Sequence, residues 1–147
     1  MAVARDPERA RTYIETSAIL SVLFGQETKL ASGAVPVGHG FTSSLTVVEA
    51  RRAITRGNAL GTLTADERRR ATIVLEEFFS ECDIVPMSDE ILLRAGRGFP
   101  IEPVRTLDAI HLATMDSVGL PSNLIHVITR DRRVRENALA MGYNCGE

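Results

Sequence analysis

The sequence predicts an α/β fold with a mainly parallel sheet that is covered by helices on both faces. Three observations support this class. Short strand candidates alternate with longer segments of helical periodicity along the chain. Residues 124–128 form an apolar run of the length expected for a strand buried on both faces. Helix start signals stand between the strand candidates, such as the capping box formed by Thr64 and Glu67.

The first half of the chain predicts two strand–helix units followed by a third helix. Residues 1–10 are expected to form a flexible leader, and Ala18, Ile19, Val22 and Leu23 form the buried stripe of the first helix. The predicted elements are a strand at 11–15, a helix from 16 to about 29, a loop at 31–40, a strand at 40–43, a helix at 44–56 that ends at Gly57-Asn58, and a helix from 65 to about 80.

The second half repeats this alternation, with Pro86 stopping a strand and Ser88 capping the helix that follows. The predicted elements are a strand at 82–85, a helix at 89–97, a loop at 98–103, a helix from 106 to about 118, a strand at 124–128, and a final helix at 130–141 that leads into residues 143–145.

Length and composition favour one globular domain spanning residues 1–147. The apolar runs are far shorter than the ~20 residues needed to cross a bilayer, and the charged start is unlike a signal peptide. We therefore expect a cytoplasmic protein without membrane contact. Five Phe, two Tyr and no Trp disfavour a protein that reads single strands by base stacking. Cys82 and Cys145 show no zinc-binding spacing.

Four acidic residues lie where predicted strands hand over to helices: Glu15, Glu49, Asp108 and Asp131. Ligands of open parallel sheets gather at the carboxyl ends of the strands, and these side chains would project toward that edge. Carboxylates that converge repel one another unless a cation lies between them, and Mg²⁺ or Mn²⁺ prefers such oxygen ligands. The acids therefore indicate a metal-dependent phosphoryl-transfer or nuclease site.

Each acid also has a purely structural explanation, because negative charge at a helix N-terminus is stabilising. Asp108 and Asp131 could serve only as first-turn acids, Glu49 could close a capping box with Thr46, and Glu15 could be an ordinary strand-end acid. Glu49 and Asp108 border apolar residues, however, where an unpaired carboxylate is costly.

Sixteen of the 17 basic residues are arginine, whose planar guanidinium suits phosphate groups. Arg51, Arg52, Arg130 and Arg132 lie close to the acids in sequence and are candidate phosphate contacts. The run at residues 68–70 lies among glutamates, which is typical of a solvated helix face.

The hydroxyl and imidazole groups near the acids have two readings. His111 follows Asp108 by three residues, so the two could share a metal ion, but a packed, hydrogen-bonded core histidine is the commoner outcome. Ser17 and Ser43 lack a nucleophile motif and are expected to hydrogen-bond neighbouring carboxylates. We assign Thr16 and Thr129 the same supporting role.

Taken together, these blocks resemble the PIN-domain family and, within it, the compact VapC-type toxins. The resemblance covers residues 11–143, and its strongest piece is the string at 107–113. The blocks are Tyr-Ile-Glu-Thr-Ser-Ala at 13–18, Thr-Ser-Ser-Leu through Glu-Ala at 42–50, Leu-Asp-Ala-Ile-His-Leu-Ala at 107–113, and Thr-Arg-Asp at 129–131.

The resemblance implies a three-layer α/β/α sandwich and an endoribonuclease that depends on Mg²⁺ or Mn²⁺. For the toxin branch it implies a homodimer held inactive by a small antitoxin protein. By position, Glu15, Glu49, Asp108 and Asp131 match the family's acidic constellation, and they are the candidate catalytic and metal-binding residues. The first position is usually Asp, so Glu15 is a departure that either requires an adjusted site or weakens activity.

Three rival functions remain open. A phosphoacceptor receiver domain also gathers acids at strand ends, but it needs a lysine near the last strands, and the only lysine of this sequence, Lys29, lies at the end of the first predicted helix. A PIN-like module could bind RNA or a protein without cutting, which the Glu15 departure encourages. The chain could also be an RNA-processing nuclease without a toxin role.

Overall fold

A five-stranded parallel sheet forms the centre of the part that the structure, a computed structural model, describes, namely residues 9–25 and 40–146. Every strand pair in it is parallel, and the order is β3-β2-β1-β4-β5. The predicted parallel sheet is confirmed. The strands are β1 at Arg11–Ile14, β2 at Gly40–Ser43, β3 at Asp83–Val85, β4 at Ile125–Ile128 and β5 at Asn144–Cys145.

Helices cover both faces of this sheet, as the apolar strands require. Successive side chains of a strand point to opposite faces, so Tyr13 and Ile14 of β1 enter two different core clusters. The helices are α1 at Thr16–Leu23, α2 at Ser44–Ala59, α3 at Ala65–Glu81, α4 at Asp89–Ala95, α5 at Thr106–Ser117 and α6 at Arg132–Ala140.

The two core clusters assign the helices to layers. The Ile14 side packs against apolar residues of α1, α2 and α3, including Ala18, Ile54 and Leu75. The Tyr13 side packs against α5 and α6, through residues such as Leu112. A smaller cluster joins α4 to α2 and α5. The fold is therefore the expected three-layer α/β/α sandwich.

Several element boundaries differ from the sequence prediction. The first helix ends at Leu23, where Phe24 caps it and Gly25 takes a positive φ of 72°, rather than near residue 29. The second helix runs through Gly57 to Ala59 instead of ending at Gly57-Asn58, and Gly57 packs so closely that an added side chain there would collide with Leu63. Residues 1–8 of the predicted leader and 26–39, with most of the predicted loop, lie outside the described residues. Within the described ranges, no helix has the length and apolar character to span a membrane.

The strand order places β1 at the point where the chain's path across the sheet reverses direction. One crossover leads from β1 to β2 on one side, while β4 lies on its other side, with Ile14 in register with Ile128. The carboxyl ends of β1 and β4 therefore meet, and the backbone N–H of Glu15 donates to the carbonyl of Ile128 at 3.0 Å. Such switch points are where open α/β sheets bind ligands.

Candidate functional site

Glu15 lies at the end of β1 and is almost fully buried, with 5% of its surface exposed. Its side chain is the N-cap of α1, since Oε2 accepts the backbone N–H of Ser17 at 3.1 Å. The same oxygen accepts the hydroxyls of Ser17 and of Thr129, the latter at 2.8 Å. Oε2 is therefore fixed by groups from both α1 and the end of β4. Supporting contacts were expected from Ser17 and Thr129, and the structure shows them.

Glu49 projects from the second turn of α2 toward α1 and α5. Its Oε1 accepts the hydroxyl of Thr16 at 2.9 Å and lies 2.7 Å from Nε2 of His111. The capping box suggested for Glu49 with Thr46 is not formed. Ser43 is the N-cap of α2 instead, and the buried Thr46 accepts a hydrogen bond from Thr42.

His111 is buried beneath these two glutamates. Its Nε2 lies 3.7 Å from Oε1 of Glu15 as well as 2.7 Å from Glu49, and its Nδ1 lies 2.6 Å from the hydroxyl of Tyr13. The reading of His111 as a packed, hydrogen-bonded residue matches this arrangement. Its carboxylate contacts are with Glu49 and Glu15, and a metal ion shared with Asp108 stays a prediction.

Tyr13 completes this buried group from β1. Burial, with the carboxylates of Glu15 and Glu49 nearby, raises the pKa of the Tyr13 phenol well above its usual value. A hydrogen bond from the backbone of Ser43 opposes that shift. The phenol is therefore protonated at any physiological pH and has a hydrogen to donate.

Asp108 and Asp131 are bridged by an arginine that the sequence analysis did not select. Arg105 places Nε 3.2 Å from Oδ2 of Asp108 and Nη2 3.4 Å from Oδ2 of Asp131. The guanidinium is two-thirds exposed, and such pairs contribute only ~0–1 kcal/mol each. The sequence signal that could have predicted the Arg105–Asp108 contact is their spacing of three residues at the start of a helix.

Asp131 also has a structural role as the N-cap of α6. Its Oδ1 accepts the backbone N–H groups of Arg133 at 2.8 Å and Val134 at 3.1 Å. This cap explains why α6 begins at Arg132 rather than at residue 130. The helix-terminus reading of Asp131 is thus correct, and Oδ2 is still directed toward Arg105.

Thr129 connects the two halves of the site. It donates to Oε2 of Glu15, and its hydroxyl accepts the backbone N–H of Asp131 at 3.0 Å. The four acids therefore lie in one polar region as two pairs. His111 stands between Glu15 and Glu49, and Arg105 stands between Asp108 and Asp131. Within residues 9–25 and 40–146, no three His, Cys, Asp or Glu side chains are already grouped around a point that could hold an ion.

The arginines selected from the sequence take different places. Arg51 pairs with Glu76 of α3 at 3.0 Å and lies over the ring of Phe79, so it does not contact a site carboxylate. Arg52 is exposed on α2, and Arg132 lies 3.7 Å from Glu136 on the surface of α6.

Two further sequence-selected residues lie at the helix entrances. The backbone N–H of Arg130 donates to the hydroxyl of Ser17 at 2.8 Å. Ser43 was expected to contact a carboxylate, but its hydroxyl caps α2 by accepting the N–H of Leu45. The sequence could not distinguish a cap from a carboxylate contact, because both need the same hydroxyl.

Residues 12–139 match the PIN domain family, and the chain belongs to that family. PIN domains are generally nucleases that hydrolyse phosphodiester bonds, and they generally use divalent metal ions. No curated protein matched the sequence.

Solved structures with the same fold share little sequence with this chain. PAE2754 from Pyrobaculum aerophilum has a TM-score of 0.60 at 19% identity, covering 93% of this chain and 91% of its own. VapBC2 from Rickettsia felis, solved with a DNA fragment from its promoter, has a TM-score of 0.59 at 9% identity, covering 91% and 96%. FitAB bound to an IR36 DNA fragment has a TM-score of 0.53 at 15% identity, covering 91% of this chain and 92% of its own. This likeness shows the fold.

The donor atoms of the site suit a hard divalent cation. All four acids supply carboxylate oxygens, the ligands that Mg²⁺ and Mn²⁺ prefer. Hydrogen bonds hold Oε2 of Glu15 and Oε1 of Glu49. Among the described residues, His111 approaches Oε1 of Glu15 only to 3.7 Å, which is longer than a hydrogen bond, and none donates to Oε2 of Glu49. Asp108 and Asp131 would have to exchange Arg105 for the ion, and the Arg105 side chain is two-thirds exposed to solvent. The residues therefore fit a metal.

The two roles of Asp131 can be separated by substitution. Asp131→Ala should lower the free energy of unfolding by about 1 kcal/mol, because α6 loses its side-chain cap. Asp131→Asn should stay within a few tenths of a kcal/mol of the parent, because asparagine caps as well as aspartate. Urea unfolding followed by circular dichroism measures both. Equal losses in the two variants would assign the stability to the Arg105 contact instead.

Proposed function

We propose that this chain is an endoribonuclease that depends on Mg²⁺ or Mn²⁺ and cleaves RNA phosphodiester bonds in the cytoplasm. The observation that carries the proposal is the pairing of four carboxylates at the switch point of a parallel sheet. In the Glu15 and Glu49 pair, hydrogen bonds hold Oε2 of Glu15 and Oε1 of Glu49, which leaves the second oxygen of each carboxylate to bind an ion. Membership of the PIN family supplies the nuclease class.

The metal would be held by Glu15 and Asp108, with Glu49 and Asp131 binding it directly or through water or shaping a second, substrate-dependent site. A divalent ion held there would supply polarisation of a phosphoryl oxygen and a lower pKa for an attacking water. Ser17, Thr16 and Thr129 hold the glutamate oxygens in place, so the ligands need little reorganisation. No protein nucleophile is required.

Arginines at the site edge would hold the RNA backbone. Arg105 is the best-placed, since its guanidinium already lies among the acids and a planar fork suits a phosphate. Arg52, Arg130 and Arg132 remain candidates for contacts with flanking phosphates. Arg52 lies on α2, Arg130 lies between β4 and α6, and Arg132 is the first residue of α6. Arg51 is the weakest candidate, because it is engaged with α3.

A toxin role is the biological setting that we propose. VapBC2 and FitAB share this fold over nearly the full length of both chains, and each was solved with DNA. We propose that this chain acts as a homodimer that a small antitoxin protein keeps inactive. A short neighbouring gene for a DNA-binding protein would support this setting, while its absence would favour a role in RNA processing.

A second candidate is a PIN module that binds RNA or protein with little or no cleavage. Two observations favour it. Glu15 occupies the position where the family usually has Asp, and its Oε2 is already occupied by three hydrogen-bond donors. Mutation of Glu15 discriminates between the two candidates.

Metal and RNA assays test the main proposal. Asp108→Asn and Glu49→Gln should reduce Mn²⁺-dependent RNA cleavage by about 10²-fold or more, since even outer-shell partners of metals are worth about 10–100-fold. Mg²⁺ should raise the melting temperature of the parent, and Asp108→Asn should largely remove this shift. Asp66→Asn, an exposed charge change on α3, is the matched control. Cleavage that persists in EDTA would reject the metal mechanism.

Substitutions at Glu15 decide between a working and a decayed site. If Glu15 is a ligand whose longer arm is matched by Ser17 and Thr129, Glu15→Gln should nearly abolish cleavage. Glu15→Asp should then lower the rate only partly, because small misplacements cost up to ~10²-fold. Single-turnover rates on one RNA measure both. A faster Glu15→Asp variant would support the weakened module, and an unchanged Glu15→Gln rate would remove Glu15 from the site.

Arg105 should compete with the metal for Asp108 and Asp131. Arg105→Gln should therefore tighten Mn²⁺ binding about 2- to 10-fold, as expected for the loss of two exposed ion pairs. If Arg105 also holds phosphate, Arg105→Gln should cleave RNA more slowly than the parent. The cleavage rate of Arg105→Lys should then lie between those of the parent and Arg105→Gln. Calorimetric titration without RNA gives the affinity. An affinity equal to that of the parent would show that the guanidinium does not occupy the metal position.

A further inference from the structure

A buried line of hydrogen bonds runs from the hydroxyl of Tyr13 on β1 through His111 to the carboxylate of Glu49. The Tyr13 hydroxyl lies 2.6 Å from Nδ1 of His111, and Nε2 of His111 lies 2.7 Å from Oε1 of Glu49. Tyr13 is fully buried and His111 is 1% exposed, so water does not compete for the bond between these two side chains.

Burial fixes the direction of this line. The Tyr13 hydroxyl hydrogen needs an acceptor, because an unsatisfied buried hydroxyl is costly. Nδ1 of His111 is the acceptor that the structure provides, as the carbonyls and carboxylates of the described residues make no other contact with this hydroxyl. A ring that accepts at Nδ1 carries its hydrogen on Nε2. His111 is therefore a donor to Glu49.

The receiving oxygen is Oε1 of Glu49, and it has a second donor in the hydroxyl of Thr16 at 2.9 Å. Two donors on one oxygen fix the rotation of the carboxylate about its last bond. Oε2 is then turned away from both donors. A half-buried glutamate on a long side chain would otherwise sample several rotamers, and each would place Oε2 differently.

We infer that Tyr13 and His111 are positioning residues that orient the Glu49 carboxylate for the divalent ion. This inference rests on the proposed metal-dependent function of the same site. Tyr13 fixes which nitrogen of His111 carries the hydrogen. His111 then donates that hydrogen to Oε1 of Glu49 and so orients the carboxylate. The arrangement corresponds to an outer-shell partner that orients a metal ligand.

A purely packing role for His111 makes a different prediction from this one. If His111 only fills space between the sheet and α5, any replacement of similar volume that keeps the fold should preserve metal binding. If it positions Glu49, the donor at the Nε2 position is the feature that matters. Glutamine and asparagine separate these cases, because the Gln amide nitrogen reaches the Nε2 position while the Asn amide reaches only the Nδ1 position.

The experiment measures Mn²⁺ affinity by calorimetry for the parent, His111→Gln and His111→Asn, without RNA. We expect His111→Gln to remain within about threefold of the parent. We expect His111→Asn to bind about 10- to 100-fold more weakly, the range seen for outer-shell partners. Cleavage rates should follow the same order. Circular dichroism and melting temperature establish that each variant is folded.

A second measurement is independent of activity and of metal. Nitrogen-15 spectra of the parent should show the hydrogen of His111 on Nε2, with Nδ1 as the acceptor. Tyr13→Phe leaves the ring packing in place, so it serves if the His111 variants do not fold. It should move the Nδ1 resonance and lower Mn²⁺ affinity about 3- to 10-fold.

The outcomes separate the two proposals. If the parent binds Mn²⁺ while His111→Asn and His111→Gln bind equally well, the positioning role is overturned and the metal site stands. A hydrogen on Nδ1 of the parent would likewise overturn it. If the parent does not bind Mn²⁺, the nuclease proposal fails. The positioning role of Tyr13 and His111 fails with it, whichever nitrogen of His111 carries the hydrogen.

Discussion

Mutual repulsion among four carboxylates is the constraint around which this end of the sheet is built. Glu15 is buried, Asp108 and Asp131 are partly covered, and all four acids lie near one edge. Folding brings these charges together, and in a low-dielectric setting each needs donors or a positive partner. The chain supplies hydroxyls and a histidine for the glutamates, and Arg105 for the aspartates.

These compensating groups explain residues that would otherwise look unrelated. Thr129 follows β4, Thr16 opens α1 and His111 lies in the middle of α5, yet each has an atom within hydrogen-bond distance of a glutamate oxygen. Donors from three elements mean that the site forms only when the layers pack. Local disorder in α5 would release Glu49 as well as the core.

Strand–helix junctions are visible in the local pattern of residues, so the sequence could locate the four candidate acids at these junctions. It also predicted the sheet class and most elements to within a few residues. It predicted hydroxyl contacts to a carboxylate from Ser17 and Thr129, but it did not predict the partners of Glu49, Asp108 and Asp131. Thr46 lies three residues before Glu49, a spacing that fits a capping box. Ser43 is the N-cap of α2 instead, and Glu49 contacts His111 of α5.

Arg105 and Arg51 show the same limit from the basic side. Both are arginines near an acid in sequence, and only the packing of the helices decides where each guanidinium goes. Arg51 faces α3 and finds Glu76, while Arg105 stands at the start of α5 beside the end of β4. Composition and spacing describe one element at a time, whereas these contacts join two.

Structural and functional readings of an acid are not alternatives in this fold. Glu15 caps α1 and Asp131 caps α6, each through one oxygen, while a second oxygen points into the site. A carboxylate has two oxygens, so one can serve the helix while the other serves a ligand. The cap restricts the side chain to one orientation, which is the pre-organisation that a metal ligand needs.

The same reasoning addresses the extra methylene of Glu15. An aspartate at this position would draw its oxygens about one bond back toward the backbone, away from the point where the hydroxyls of Ser17 and Thr129 now meet Oε2. The glutamate is therefore matched to its neighbours at the oxygen that they hold. Its other oxygen is set by the same contacts, since both belong to one rigid carboxylate plane. Geometry around Glu15 is consequently adapted to glutamate on the protein side, and the proposed metal would have to accept the position that results.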